Sequence, residues 1–111
     1  MHWKRRGGGL TRNLKKLAAF IPKDKRLKLF NKLYREYGCN ARDIAKNSGI
    51  NLRCVYFYLP NGKKGVRNKP SDETTYNLLK AYMKKDPQKA QTFLGEVYNE
   101  FQILCKAAIH N

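Results

Sequence analysis

The chain has 111 residues, enough for one modest core but not two, and its 24 Lys and Arg against 8 Asp and Glu leave a formal charge of +16. No stretch approaches the roughly 20 apolar residues of a membrane span, and the basic N-terminus runs into Gly7-Gly8-Gly9 instead of the apolar core of a secretion signal. Cysteines at 39, 54 and 105 form no Cys-x-x-Cys pair and histidines occur only at 2 and 110, which argues against a disulfide framework, a metal site and a His-centred catalytic triad. The expectation is therefore a cytoplasmic binding protein, not an enzyme, with no catalytic residues, metal, cofactor or membrane contact, its cysteines serving as reduced packing residues.

The charge is unevenly placed. Residues 1–70 carry 19 Lys and Arg against 3 Asp and Glu, whereas residues 71–111 carry 5 of each. A one-sided excess of this size attracts a polyanion.

Taken in chain order, residues 1–9 read as a flexible basic arm, with Lys4, Arg5 and Arg6 ahead of three glycines whose ordering costs much backbone entropy. Two readings stay open for it: an arm that enters a minor groove, or a frayed terminus adding only non-specific charge. Residues 10–111 read as a single helical domain. Apolar residues at 10, 14, 17, 18 and 21 predict a short helix ended by Pro22. Asp24 is the expected cap of a second helix, with Leu27, Leu29, Phe30, Leu33, Tyr34 and Tyr37 on an apolar side, Lys25, Lys28, Lys32 and Arg35 on a basic one, and Gly38 at its end.

The next stretch, residues 40–59, carries the most specific signal. Asn40 caps a predicted helix over 41–48 with Ile44 and Ala45 inward, Gly49 turns the chain, and Asn51 caps a second helix over 52–59. A small residue at Ala45 lets the two helices approach, Gly49 supplies the left-handed turn, and Val55 closes the angle from the second helix, where Tyr58 and Leu59 lie near the same side. That spacing is the one a helix-turn-helix requires. Arg53, Tyr56 and Phe57 are left facing outward on the second helix, and Arg42 and Lys46 on the first are candidate phosphate contacts.

Residues 60–70 combine Pro, Gly and Asn turn formers with Lys63, Lys64, Arg67 and Lys69, predicting a basic loop that either contacts phosphates or serves as a solvated connector. Ser71, followed by Asp72 and Glu73, caps a helix with Leu78, Leu79, Tyr82 and Met83 as its apolar positions. Asp86-Pro87 ends it and starts another over about 87–109, with apolar residues at 90, 93, 94, 97, 101, 104 and 108. That spacing approaches a heptad seam. It is read first as packing over the motif helices, and second as a homodimer contact through Phe93, Val97, Phe101 and Leu104.

Residues 40–59 resemble the helix-turn-helix of the lambda-repressor and recombinase-associated families, in Ala45, Gly49, Val55 and the Val-Tyr-Phe-Tyr-Leu ending. Tyr58 stands where those families more often carry an aliphatic residue. Pro60-Asn-Gly-Lys and Pro70-Ser-Asp-Glu resemble small archaeal and mobile-element DNA-binding modules, in which a short basic loop precedes a further helix. The resemblance implies an all-α fold of about five to six helices with the second motif helix in the major groove, where Asn51, Arg53, Tyr56 and Phe57 reach base edges. It implies a sequence-specific binder of double-stranded DNA, either a small transcriptional regulator or a DNA-repeat-binding protein, with a further DNA-bound protein as a candidate partner. Two alternatives stay open: an architectural nucleoid protein of low sequence specificity, and an RNA-binding protein.

Overall fold

The computed structural model describes residues 13–59 and 69–110, all of them in helices or short connections. The first helix, α1, runs through residues 13–20 and is followed by α2 (Lys23–Glu36), α3 (Ala41–Ser48), α4 (Leu52–Tyr58), α5 (Asp72–Lys85) and α6 (Pro87–His110). The fold is all-α with six helices. The N-terminal arm, with Lys4, Arg5 and Arg6, and the basic loop carrying Lys63, Lys64 and Arg67 lie outside the described residues.

The apolar periodicities become one core. Leu14 and Ala18 of α1, Leu29, Phe30 and Leu33 of α2, Ile44 of α3, Val55 and Tyr58 of α4, Leu78, Leu79 and Tyr82 of α5, and Ala90 and Phe93 of α6 are all buried in it. The Phe30 ring sits at a junction, stacked on Tyr34 at 5.8 Å and met edge-on by Tyr58 at 5.5 Å. Such pairs add about 0.5–1.5 kcal/mol beyond the area they bury, so α2 and α4 are held together partly by aromatic geometry.

The helix ends follow the sequence closely, with one correction. Asn40 Oδ1 accepts from the Arg42 and Asp43 amides, Asn51 Oδ1 from that of Arg53 and Ser71 Oγ from that of Thr74, so three helices start on the expected caps. Asp24 is not a cap: α2 begins one residue before it, at Lys23, with Pro22 in the cap position and Asp24 in the first turn. Proline fixes the entry backbone without needing a donor, and the carboxylate still faces the positive end of the helix. Cys39, expected to pack, is exposed and adopts a left-handed backbone (φ 58°) just after Gly38 (φ 67°). Its amide donates to Tyr34 O at 2.9 Å and so closes the end of α2.

A buried arginine ties the elements together. Arg26 shares the inward side of α2 with Leu29, Phe30 and Leu33. Its Nε donates to Ile21 O at 2.7 Å, Nη1 to Pro70 O at 3.0 Å and Nη2 to Ala19 O at 3.2 Å, while Nη2 also meets Asp72 Oδ1 at 2.8 Å. One guanidinium thus caps the carbonyl end of α1 and grips the chain where it enters α5. The burial cost of the charge is offset because the planar fork finds acceptors on several sides.

Arg26→Ala leaves three carbonyls without their donors and should destabilise the fold by about 3–5 kcal/mol. Arg26→Lys, whose point charge cannot reproduce the fork, should recover only part of that loss. Asp72→Asn, altering a carboxylate that is 70% exposed, should cost about 1 kcal/mol or less. Chemical denaturation of the three variants checks the order; equal losses at Arg26 and Asp72 would contradict it.

Candidate nucleic-acid interface

Helices α3 and α4 are joined by Gly49-Ile50-Asn51, and the turn takes the predicted form. Gly49 is left-handed (φ 75°, ψ 14°), with its amide on Ala45 O at 3.0 Å. Ile44 and Val55 are fully buried, Ile50 and Tyr58 nearly so, and Ala45 and Leu59 lie half-buried at the edge of the core. The Ser48 hydroxyl donates to Ile44 O, so the polar side chain at the end of α3 enters the interior satisfied. This pair of helices rests on α5 and α2. The cover expected from α6 comes mainly from α5, against which α6 packs from elsewhere.

Tyr58 has a structural account. Its ring fills the space beside Phe30, and burial pushes its phenol above the ordinary value of 10.0, an effect partly offset by the Thr74 side chain and reinforced slightly by Cys54. An aliphatic residue would lack both the edge-on contact and the polar tip that reaches α5. Tyr37 and Tyr82 are raised as well, chiefly by burial, and both face acidic neighbours that push in the same direction.

With Val55 and Tyr58 inward, helical geometry decides what α4 presents to solvent. Successive residues advance by about 100°, so Arg53, Tyr56 and Phe57 fall on the opposite side. All three are exposed there, Tyr56 at 54% and Phe57 at 51%. Arg42 and Lys46, one turn apart on α3, lie on the side away from Ile44, and both are exposed there. Asn51 is exposed, and its Oδ1 accepts from the Arg53 amide at 2.9 Å, so only its amino group is free of the cap. Lys69 is exposed just ahead of buried Pro70.

No family, curated protein or solved structure matches the chain.

The structure sorts the basic side chains of α2 more finely than the sequence does. Lys28 and Lys32 line that helix with Arg35, whereas Lys25 is engaged with Glu100 of α6, Nζ to Oε2 at 2.9 Å, and Arg26 is buried. The pair with Glu100 is also the first cause of the raised Lys25 pKa. Arg26 is the residue that a charge count alone misplaces. Its spacing from Leu29, Phe30 and Leu33, at i+3, i+4 and i+7, is the signal that it belongs to the inward stripe.

A raised tyrosine pKa means that folding favours the neutral phenol. The stabilisation is complete below pH 10, the ordinary value for the unfolded chain, and is lost as pH climbs from there through the higher folded value. Thermal melting from about pH 8 to 11 should therefore show a fall in stability above the ordinary tyrosine value of about 10. Tyr58→Phe should make that fall shallower while changing neutral-pH stability by only about 1 kcal/mol. An unchanged alkaline profile in Tyr58→Phe would contradict the assignment.

Proposed function

We propose that the chain binds double-stranded DNA with α4 in the major groove and reads base sequence through Arg53, Tyr56 and Phe57. The observation that carries this reading is the pairing of two features. The α3–Gly49–α4 unit exposes an arginine and two aromatics on the side of α4 opposite its buried face, and all of the net charge of +16 resides in residues 1–70, which contain that unit. The first feature supplies groups suited to base edges: a guanidinium can take guanine O6 and N7 together, and an aromatic edge can meet a thymine methyl. The second supplies the attraction to phosphate that brings a duplex to the surface.

Within this reading, Arg42 and Lys46 of α3, with Lys69 ahead of α5, hold the phosphate backbone, and Asn51 contributes its amino group at the start of α4. Lys4, Arg5, Arg6, Lys63, Lys64 and Arg67 belong to the same basic portion of the chain. A small regulator or a repeat-binding protein would use such a surface. The excess charge alone would equally serve an architectural protein that coats DNA, and the two roles differ in what Arg53 does.

Binding to a preferred duplex and to an unrelated one, followed by fluorescence anisotropy over a range of salt, separates them. Arg53→Ala should weaken the preferred duplex by about 10- to 100-fold, matching the ~1–3 kcal/mol of a bidentate base contact, and leave the unrelated duplex nearly unchanged. Arg42→Ala with Lys46→Ala should weaken both duplexes alike and reduce the salt slope by about 1 for each phosphate that is no longer neutralised. Equal weakening of both duplexes by Arg53→Ala would make Arg53 a phosphate anchor and defeat the reading.

A further inference from the structure

Two ion pairs fasten α6 to α2: Lys89 Nζ to Glu36 Oε2 at 2.8 Å near its start, and Lys25 Nζ to Glu100 Oε2 at 2.9 Å past its middle. Beyond Glu100 the helix continues to His110, and from Phe101 to Ile109 every residue is exposed except half-buried Cys105. A helical end of this length, standing free, is marginal in water. It is nevertheless apolar on one side. Leu94, Val97, Phe101, Leu104 and Ala108 recur at alternating steps of three and four, the period of a helix-pairing seam. The beginning of that seam is used inside the fold, where Ala90 and Phe93 are buried. Phe93 is thus a core residue, Leu94 and Val97 are half-buried against the same core, and Phe101, Leu104 and Ala108 are left uncovered.

Beside the open seam, α1 and the elbow after it contribute Leu17, Phe20, Ile21 and Pro22 to an apolar groove of about 300 Å³, whose other wall includes Phe101 and Leu104. Phe20 is 77% exposed, Tyr98 58%, Phe101 56% and Leu104 67%. At about 200 Å² for each aromatic side chain, the three aromatics alone leave on the order of 400 Å² in water. Leu17 and Leu104 enlarge a patch already within the roughly 300–600 Å² of a typical monomer's largest patch, which is often functional. Paired with itself, such a face buries on the order of 1,000 Å², about the area that a biological interface has to clear.

We infer that this face holds a second copy of the chain, with the free end of each α6 laid along the α1–α6 groove of its partner. Charge selects that occupant. Two molecules of charge +16 repel wherever basic parts meet, but here a nearly neutral segment is laid against the α1 wall, which belongs to the basic part: from Tyr98 to Ile109 the only charged side chains are Glu100 and Lys106. Self-complementarity selects it too: groove and ridge lie side by side on one face, as a two-fold interface requires. This inference stands apart from the DNA-binding reading.

Sedimentation equilibrium of the full chain without nucleic acid, at tens of micromolar and in salt high enough to screen the charge, should give twice the 12.9 kDa chain mass. Phe101→Asp with Leu104→Asp should weaken the dimer at least about 30-fold, as expected of central anchors. Phe20→Ser, on the opposite wall and a different helix, should do the same, with helicity by circular dichroism confirming that each variant folds. Should the α6 variant fail to fold, Phe20→Ser alone decides. A monomeric wild-type chain overturns the inference, and so does a dimer that survives every folded variant.

Discussion

The guanidinium of Arg26 is the constraint on which the other elements depend. A charge taken out of water must be met by acceptors on several sides, and here they come from three separate places: the end of α1, the residue before Ser71, and Asp72 in the first turn of α5. The elbow at Pro22 is therefore held at a fixed angle. So is the point where the chain returns from the motif into the body. Everything between Arg26 and Pro70, including α3 and α4, is thereby closed off at both ends by one side chain.

That closure bears on the proposed recognition. A reading helix must be presented rigidly, because a donor displaced by an ångström no longer meets its base. Helix α4 is short and its outward side is given over to Arg53, Tyr56 and Phe57, so its position rests on Val55, Tyr58 and the helices beneath. Phe30 links it to α2, and Tyr58 reaches toward α5. The tyrosine at position 58 thus serves the packing of the motif, which explains why it turns inward while its two aromatic neighbours turn out.

Much of the fold was legible because the relevant signals are local. Asn40, Gly49, Asn51 and Ser71 define helix ends through hydrogen bonds and backbone conformations that span two to four residues, and the structure realises each of them. Asp24 misled because proline two positions earlier is an equally good start and leaves the acid inside the first turn. The burial of Arg26 was legible in its spacing from Leu29, Phe30 and Leu33, but its hold on Pro70 and the pairing of Lys25 with Glu100 were beyond a local reading, since those partners lie 44 and 75 residues away in sequence. The role of Phe20 was hidden as well. It falls off the apolar stripe of α1 and acquires meaning only where α6 passes beside it. The outward set on α4 was readable from helical spacing once Val55 and Tyr58 were taken as inward, whereas what it touches depends on a partner that spacing cannot name.

The central claim is that α4 distinguishes one base sequence from another. Incubating the chain with a pool of random duplex DNA at about 0.15 M salt, where weak phosphate-only binding is suppressed, and sequencing what is retained tests it most directly. The account predicts a recovered sequence motif, one that degrades at particular positions when the selection is repeated with Arg53→Ala. Strong retention without any motif, or no retention at all, would contradict it.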